Sequence, residues 1–206
     1  MEHQWIQWIR EIRALGQIGL TYTTDMYDQE RYTRLTELAD VMFARISGVP
    51  VQKIADFFVP DSGYCTPKID LRAGVFDGDR ILLVLEKFDQ KWTLPGGWAD
   101  VNESPTQGIR REVLEEANCQ VDAVELVAVI DRELHPYTPH YPYHIYKLFF
   151  YGLCSQHLPL PPNSETERAE FFPLDNLPEL SAARILRQDI ERLFRYHQEK
   201  CPVYID

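Results

Sequence analysis

The chain has 206 residues, 45% of them hydrophobic and 26% charged, enough for one large domain or a small domain joined to a medium one. Its net charge is −11 with no basic run, which argues against a long nucleic acid as partner, because affinity for phosphate backbones is carried by Lys and Arg. The opening MEHQWIQWIREIRALG mixes Glu and Arg with its apolar residues and reads as neither a signal peptide nor a membrane span. Cys65, Cys119, Cys154 and Cys201 form no CxxC pair, so zinc-ribbon and dithiol chemistry have no support. A reducing cytoplasm is the expected location.

Trp5, Trp8, Ile9, Ile12, Leu15 and Gly19 recur at helical spacing, and so do Leu35, Leu38, Ala39, Met42 and Ile46. Asp25 or Asp28 can cap the second of these helices, and Gly48 followed by Pro50 is a stop signal. A third helix is expected over Val51–Val59, a turn at Pro60–Gly63 and a linker to Lys68. Strand character then begins. Leu71–Phe76 and Arg80–Glu86 flank an Asp77-Gly78 hairpin signal, and further strands are expected over Val124–Leu134, His144–Tyr151 and Glu170–Pro173. A last helix is expected from about Ser181 to His197. The expected organisation is a helical domain over 1–65 and an α/β domain over 66–206.

Residues 96–119, GGWADVNESPTQGIRREVLEEANC, specify one helix well. Ser104 is a good N-cap, Pro105 stands at the first helical position and Gln107 completes a capping box. Ile109, Val113 and Ala117 make an apolar stripe, and Asn118 follows the last turn. Glu112, Glu115 and Glu116 share one side of this helix. Two carboxylates ~4 Å apart repel by ~4 kcal/mol at an effective dielectric of about 20, so a crowded trio calls for a cation, and oxygen ligands suit Mg²⁺ or Mn²⁺. Taken alone, an acidic triplet is most often a solvated helix face. Pro95-Gly96-Gly97 lets backbone come close to a metal or phosphate.

The spacing of Gly97, Glu103, Arg111, Glu112, Val113, Glu115, Glu116 and Cys119 resembles the Nudix box, with Asn118 where the family has Gly. Asn is the residue that best replaces Gly in a left-handed backbone, so the departure is a mild one. The resemblance implies an α/β/α sandwich with a mixed sheet, and a hydrolase that cuts a phosphoanhydride bond with Mg²⁺ or Mn²⁺. It implies that Glu112, Glu115 and Glu116 bind metal together with the Gly96 carbonyl, and that Arg111 pairs with Glu103 and orients the glutamates. The helical N-terminus, the stretch Gly63–Arg72 and the run Lys91–Val101 are similar to a bacterial subgroup with a small helical N-terminal domain. That subgroup includes CDP-choline pyrophosphatase and relatives acting on ADP-ribose. It implies a small nucleoside diphosphate substrate and a homodimer. In relatives the general base often comes from a distant loop, and Glu165 and Glu167 occupy such a place, with a solvated loop as the structural alternative.

Candidate substrate contacts are Arg72, Trp98, Arg132, His135 and Tyr137. The segment Arg132–His144 is rich in Tyr, His and Pro; its aromatics can stack on a base and Arg132 or His135 can reach a phosphate. A proline-stiffened surface loop or a subunit contact would explain the same residues. Trp5 and Trp8 are more aromatic surface than a small helical unit hides, and a second subunit is one way to cover them. Two other functions fit this sequence less well. Action on RNA ends conflicts with the acidic balance, and a non-catalytic nucleotide sensor conflicts with the complete set of box glutamates.

Overall fold

The computed structural model describes residues 2–57, 63–159, 161 and 165–206. The chain divides into two compact units, one formed by Met1–Pro67 with Pro139–His144, the other by Lys68–Thr138 with Ile145–Asp206.

The first unit holds helices α1 (Glu2–Tyr22), α2 (Met26–Ser47) and α3 (Val51–Phe57). Of the two expected caps, Asp25 is the one used: its carboxylate accepts from Tyr27 N and Asp28 N at 2.9 and 3.0 Å. Gly48 ends α2 in the left-handed region, its N–H returning to the Ala44 carbonyl at 3.0 Å. Ile6, Ile9, Ala39, Phe43, Ala44 and Ile54 form this unit's core. Arg10 Nε donates to the Tyr141 carbonyl at 2.8 Å, which fixes the Pro139–His144 segment to α1. Residues 58–62, where the third helix was expected to end and the turn to begin, lie outside the described residues.

The second unit is a mixed seven-stranded sheet between two helices. Its strands are β1 (Lys68–Asp77), β2 (Arg80–Glu86), β3 (Trp92–Thr93), β4 (Cys119–Asp131), β5 (Ile145–His157), β6 (Thr166–Phe172) and β7 (Tyr204–Ile205), in the order β3-β2-β1-β5-β4-β7 with β6 also on β2. The β1–β2 hairpin forms where the Asp-Gly signal stands, with Asp77 opposite Arg80, and β1 and β5 pair in parallel. The central strands are buried on both faces, so Ile81–Leu85 of β2 reads as a continuous apolar run, and β1 is buried throughout Asp70–Phe76, Asp70 and Arg72 included. Helix α4 (Pro105–Ala117) lays Ile109, Val113 and Ala117 on one face against Leu71, Val75 and Val84. Helix α5 (Arg187–Glu199) lays Ile190, Leu193 and Phe194 on the other against Phe76, Leu83 and Phe149.

Several boundaries differ from the sequence expectation: β1 starts at Lys68 rather than Leu71, β4 at Cys119 rather than Val124, and β5 runs on to His157 rather than Tyr151, and three further ones have a visible cause. Helix α5 starts at Arg187 rather than near Ser181, because Ser181 Oγ is engaged with Asp89 at 2.6 Å and it is Asp189 that accepts from Leu186 N, at 2.9 Å. Strand β4 stops at Asp131 rather than Leu134, because the Asp131 carboxylate accepts from Glu133 N at 2.9 Å and turns the chain into a short 3₁₀ segment, Arg132–Leu134. Strand β6 starts at Thr166, four residues before Glu170, paired along β2.

One topological detail creates the site. β1 and β2 pair only at Phe76–Asp77 and then part. The edge of β1 thus released takes residues 95–99 instead: Ala73 N donates to the Pro95 carbonyl, Leu71 N to Gly97 and Ala99 N to Ile69, all within 2.8–2.9 Å. Beyond the split, β2 pairs with β3 on one side and β6 on the other.

Candidate active site

Helix α4 is closed at both ends as its sequence specifies. Ser104 Oγ accepts from Gln107 N at 3.3 Å, and Gln107 Oε1 accepts from Ser104 N at 2.8 Å. Asn118 is left-handed, with φ of 47°, and its N–H reaches the Leu114 carbonyl at 2.9 Å. The loop before the helix is set by Gly96, whose φ is 135° and where a Cβ would stand 2.1 Å from the Leu71 carbonyl oxygen; only glycine fits beside β1. Its N–H donates to Glu116 Oε2 at 2.9 Å. At Gly97 a Cβ would meet Glu112 Oε1 at 3.1 Å, so this glycine clears room for a carboxylate.

Arg111 gathers the acids on the outer edge of α4. Its Nε donates to both Glu103 oxygens at 3.0 and 3.1 Å, Nη1 to Glu112 and Glu115 at 3.0 and 3.1 Å, and Nη2 to Asp100 at 3.0 Å. The Glu115 side chain remains 60% exposed, whereas that of Glu112 is only 12% exposed. Glu116 is buried, and burial pushes its carboxyl up to about 8 despite the nearby Arg72 and the Gly96 N–H. Burial raises Glu112 as well, against the pull of Arg111.

These groups border a cavity of about 680 Å³, within the size range of small-ligand sites. Glu112, Glu116, Gly96 and Gly97 form one side, with Trp98 and Asp100 next to them. Arg72, Glu86, Lys87, Phe88, Glu165 and Arg184 complete the lining. Arg72 Nε donates to Asp70 at 2.9 Å and Nη1 to the Leu94 carbonyl at 3.1 Å, which leaves Nη2 as the donor not engaged among the described residues. Beneath it, Lys147 is fully buried and also bonded to Asp70. Burial alone would raise the Asp70 carboxyl, but Arg72 and Lys147 outweigh it and hold it below the usual range. Two cations on one carboxylate leave the Arg72–Lys147–Asp70 trio net positive. Also on the lining, Arg184 pairs with Glu86 at 3.3 Å, and it pairs with Asp89 at 2.9 Å.

The donor set fits a hard divalent cation: five carboxylates (Glu86, Asp100, Glu112, Glu116 and Glu165) and the Gly96–Gly97 backbone line one cavity, with no imidazole or thiol among them. Among the described residues, no three acidic, imidazole or thiol groups are already drawn in around one point. Arg111, holding Glu112 and Glu115 from the side, is the physical reason on the box helix.

A family model described as the NUDIX domain matches residues 70–194. The chain belongs to the Nudix family. A second model, described as the UDP-X-like N-terminal oligomerisation domain, matches residues 3–58. Among curated proteins the chain is 37% identical over 207 residues to YjhB of Bacillus subtilis (strain 168), whose name proposes an ADP-ribose pyrophosphatase; the match covers 99% of this chain and 98% of that one. Among solved structures it is similar to a UDP-X diphosphatase, at 30% identity and TM-score 0.63, covering 100% of this chain and 99% of that chain. It is also similar to an ADP-ribose pyrophosphatase from Streptococcus suis 89-1591, at 34% identity and TM-score 0.62, covering 68% of this chain and 100% of that one. The chain is thus a Nudix pyrophosphohydrolase, with the mixed sheet and flanking helices of that fold and a helical N-terminal domain.

Of the residues singled out from sequence, the Nudix fold brings Arg72, Gly96, Trp98, Glu112, Glu116 and Glu165 to the cavity. Glu103, Arg111 and Glu115 stand at its outer edge. Glu167 lies outside it, accepting from Gln90 Nε2 at 3.1 Å on the exposed side of β6. Arg132, His135 and Tyr137 are elsewhere. The Arg132 guanidinium is buried against Glu133 and the Ala183 carbonyl, and lies 5.2 Å from the Tyr137 ring centre. Tyr137 donates to Asp189 at 2.5 Å, and His135 sits between Asp206 and Gln188. Together they tie the loop after β4 to α5 and the C-terminal residues. Glu86, Lys87, Phe88 and Arg184 were not anticipated. Glu86 ends a strand that reads as pure core, and Arg184 falls within a stretch that reads as helix.

Proposed function

We propose that this Nudix enzyme hydrolyses the phosphoanhydride bond of a nucleoside diphosphate linked to a second moiety, of ADP-ribose type, using Mg²⁺ or Mn²⁺. The observation that carries the reading is a single cavity lined by the box carboxylates Glu112 and Glu116 together with Arg72, whose Nε and Nη1 are taken by Asp70 and Leu94. In this reading Glu112, Glu116 and the Gly96 carbonyl hold the cation, with Glu86 and Glu165 as further oxygen donors and Glu115 at the edge. When bound, the cation supplies charge neutralisation at the phosphoryl oxygens and a more acidic water. Arg72 grips a non-bridging oxygen through Nη2, backed by Asp70 and Lys147. Arg111 fixes the rotamers of Glu112 and Glu103. Glu165, anchored where Lys87 N donates to its carbonyl at 2.9 Å, takes the proton of the attacking water. The P–O bond of the anhydride breaks and leaves a nucleoside monophosphate and a phosphorylated remainder.

The full-length similarity to a UDP-X diphosphatase supports a UDP-linked substrate as the second reading. CDP-choline completes the set of substrates to compare. We also propose that the chain is a cytoplasmic homodimer. Trp5 and Trp8 meet edge to face at 5.2 Å on α1, yet are 47% and 45% exposed, within the segment that matches the oligomerisation model. No helix among the described residues is long and apolar enough to cross a membrane.

The test is hydrolysis of ADP-ribose, UDP-linked sugars, CDP-choline and nucleoside triphosphates with Mg²⁺ or Mn²⁺, scored by released phosphates. Glu112→Gln and Glu116→Gln should each lower kcat by about 100-fold or more. Full turnover by both variants at saturating Mg²⁺ would overturn the mechanism. Light scattering after size exclusion that gives a monomer at micromolar concentration would overturn the dimer.

A further inference from the structure

The polar part of the cavity is accounted for by a diphosphate and its cation. Two flat apolar side chains on its lining are not: Phe88, which is 90% exposed, and Trp98, which is 44% exposed. Phe88 stands at the tip of the turn joining β2 to β3, and that turn is not slack. Glu86 N donates to the Lys91 carbonyl and Gln90 N to the Glu86 carbonyl, both at 3.0 Å. Gln90 adopts a left-handed φ of 55° and its side chain returns to the Lys87 carbonyl at 3.2 Å. Lys87 N is bonded to the Glu165 carbonyl. A stiff, cross-braced turn therefore presents a Phe ring to solvent at the edge of a charged cavity. Isolated exposed apolar residues are ordinary. A ring carried on a braced turn and sharing a cavity with a second aromatic is a surface shaped for a flat apolar group.

We propose that Phe88 stacks on the nucleobase of the substrate, with Trp98 as the cavity's second aromatic surface. This rests on the nucleoside diphosphate reading and assigns the end of the molecule that the charged residues leave unassigned. Stacking engages the face of the base, not its hydrogen-bonding edge, so Phe88 recognises that a base is present without selecting which one. Such a contact lets one site accept adenine and uracil compounds alike.

The experiment is calorimetric titration of AMP, UMP and ribose 5-phosphate into the full chain in Mg²⁺. The wild-type chain should bind both nucleotides ~5- to ~100-fold more tightly than ribose 5-phosphate. Phe88→Ala should erase that advantage while leaving ribose 5-phosphate affinity and the circular dichroism spectrum unchanged, and Phe88→Trp should retain it. The proposal is overturned if Phe88→Ala keeps the advantage, or if the wild-type chain never shows it. Hydrolysis of ADP-ribose and UDP-linked sugars separates the two readings. A chain that hydrolyses neither yet binds AMP through Phe88 loses the enzymatic assignment and keeps the stacking. A chain that hydrolyses either with nucleotide affinity unaltered in Phe88→Ala does the reverse.

Discussion

Gly96→Ala is the substitution for which the structure makes the sharpest demand. Two penalties add at this position. A side chain at φ of 135° sits in a backbone region that L residues rarely adopt, which costs about 1–3 kcal/mol. The new Cβ also falls 2.1 Å from the Leu71 carbonyl oxygen and 3.0 Å from Arg72 Cα, both backbone atoms of a central strand that cannot give way cheaply, for about 1–3 kcal/mol more. The sum, about 2–6 kcal/mol, corresponds to a fall in melting temperature of about 5–20 °C for a chain of this length. Two controls separate the contributions. Gly78→Ala places a side chain at the existing φ of 57° with nothing within 4 Å, so it carries strain alone, about 1–2 kcal/mol. Gly97→Ala carries contact alone, and the contact is with Glu112 Oε1 at 3.1 Å, the end of a side chain that can move. It should leave the urea midpoint close to wild type while lowering turnover, because the displaced group is a box carboxylate. Urea unfolding of the three variants reads the order directly. If Gly96→Ala costs no more than Gly78→Ala, residues 95–97 do not lie against β1 as described and the site has been assembled wrongly.

Removal of the cation should make stability fall with rising pH. Burial raises the Glu116 carboxyl from 4.5 in the unfolded chain to about 8, so the folded state holds a proton that the unfolded state releases, and that contribution is complete below about 4.5 and lost as pH rises through about 8. Denaturation in EDTA across pH 5–8 should show a loss on the order of a few kcal/mol; Glu116→Gln should flatten it, and stabilisation by added Mg²⁺ should grow over the same window. Arg111→Ala releases Glu103, Glu112, Glu115 and Asp100 together and should weaken Mg²⁺ affinity by about 10–100-fold, measured by activation of turnover against metal concentration. Glu165→Gln should lower kcat by about 100-fold or more, while Glu167→Gln, on the exposed side of β6, should change it less than about two-fold. Equal losses from both would remove Glu165 as the base.

The parts of this molecule that could be read from sequence are those whose instructions are local. The capping box of α4, the Asp25 cap, the Asp-Gly hairpin and the left-handed Asn118 are each specified within four residues, and each forms where it was expected. The box spacing carried the glutamates because one helix presents them. The opposite wall of the cavity has no such signature. Glu86 is the last residue of an Ile-Leu-Leu-Val-Leu run, and it faces the cavity only because β2 leaves β1 after Ile81 and takes β3 and β6 as neighbours. Arg184 is nearly a hundred residues from Glu86, and their meeting depends on a turn that ends where α5 begins. The two-residue strands β3 and β7 are too short to show any periodicity. Arg132 and Tyr137 show the reverse case: polar and aromatic residues in a loop invite a binding role, and here their groups are engaged with α5 and its approach.

The distribution of charge over α4 explains why the box helix tolerates so many acids. Arg111 supplies five donor hydrogens in a fixed plane, and all three of its nitrogens are used on the outer edge, where Glu103, Glu115 and Asp100 are partly solvated. Each carboxylate on that edge already accepts a hydrogen bond from the guanidinium without an ion. The inner edge differs. Glu116 has the Gly96 N–H, and the guanidinium of Arg72 acts on it only at a distance, already bound to Asp70 and Leu94. The requirement for further positive charge is therefore greatest at Glu116, with Glu112 beside it next to the glycines. A helix with Arg111 replaced would have to recruit the cation to its outer edge as well, and the site would lose position before it lost affinity for metal altogether.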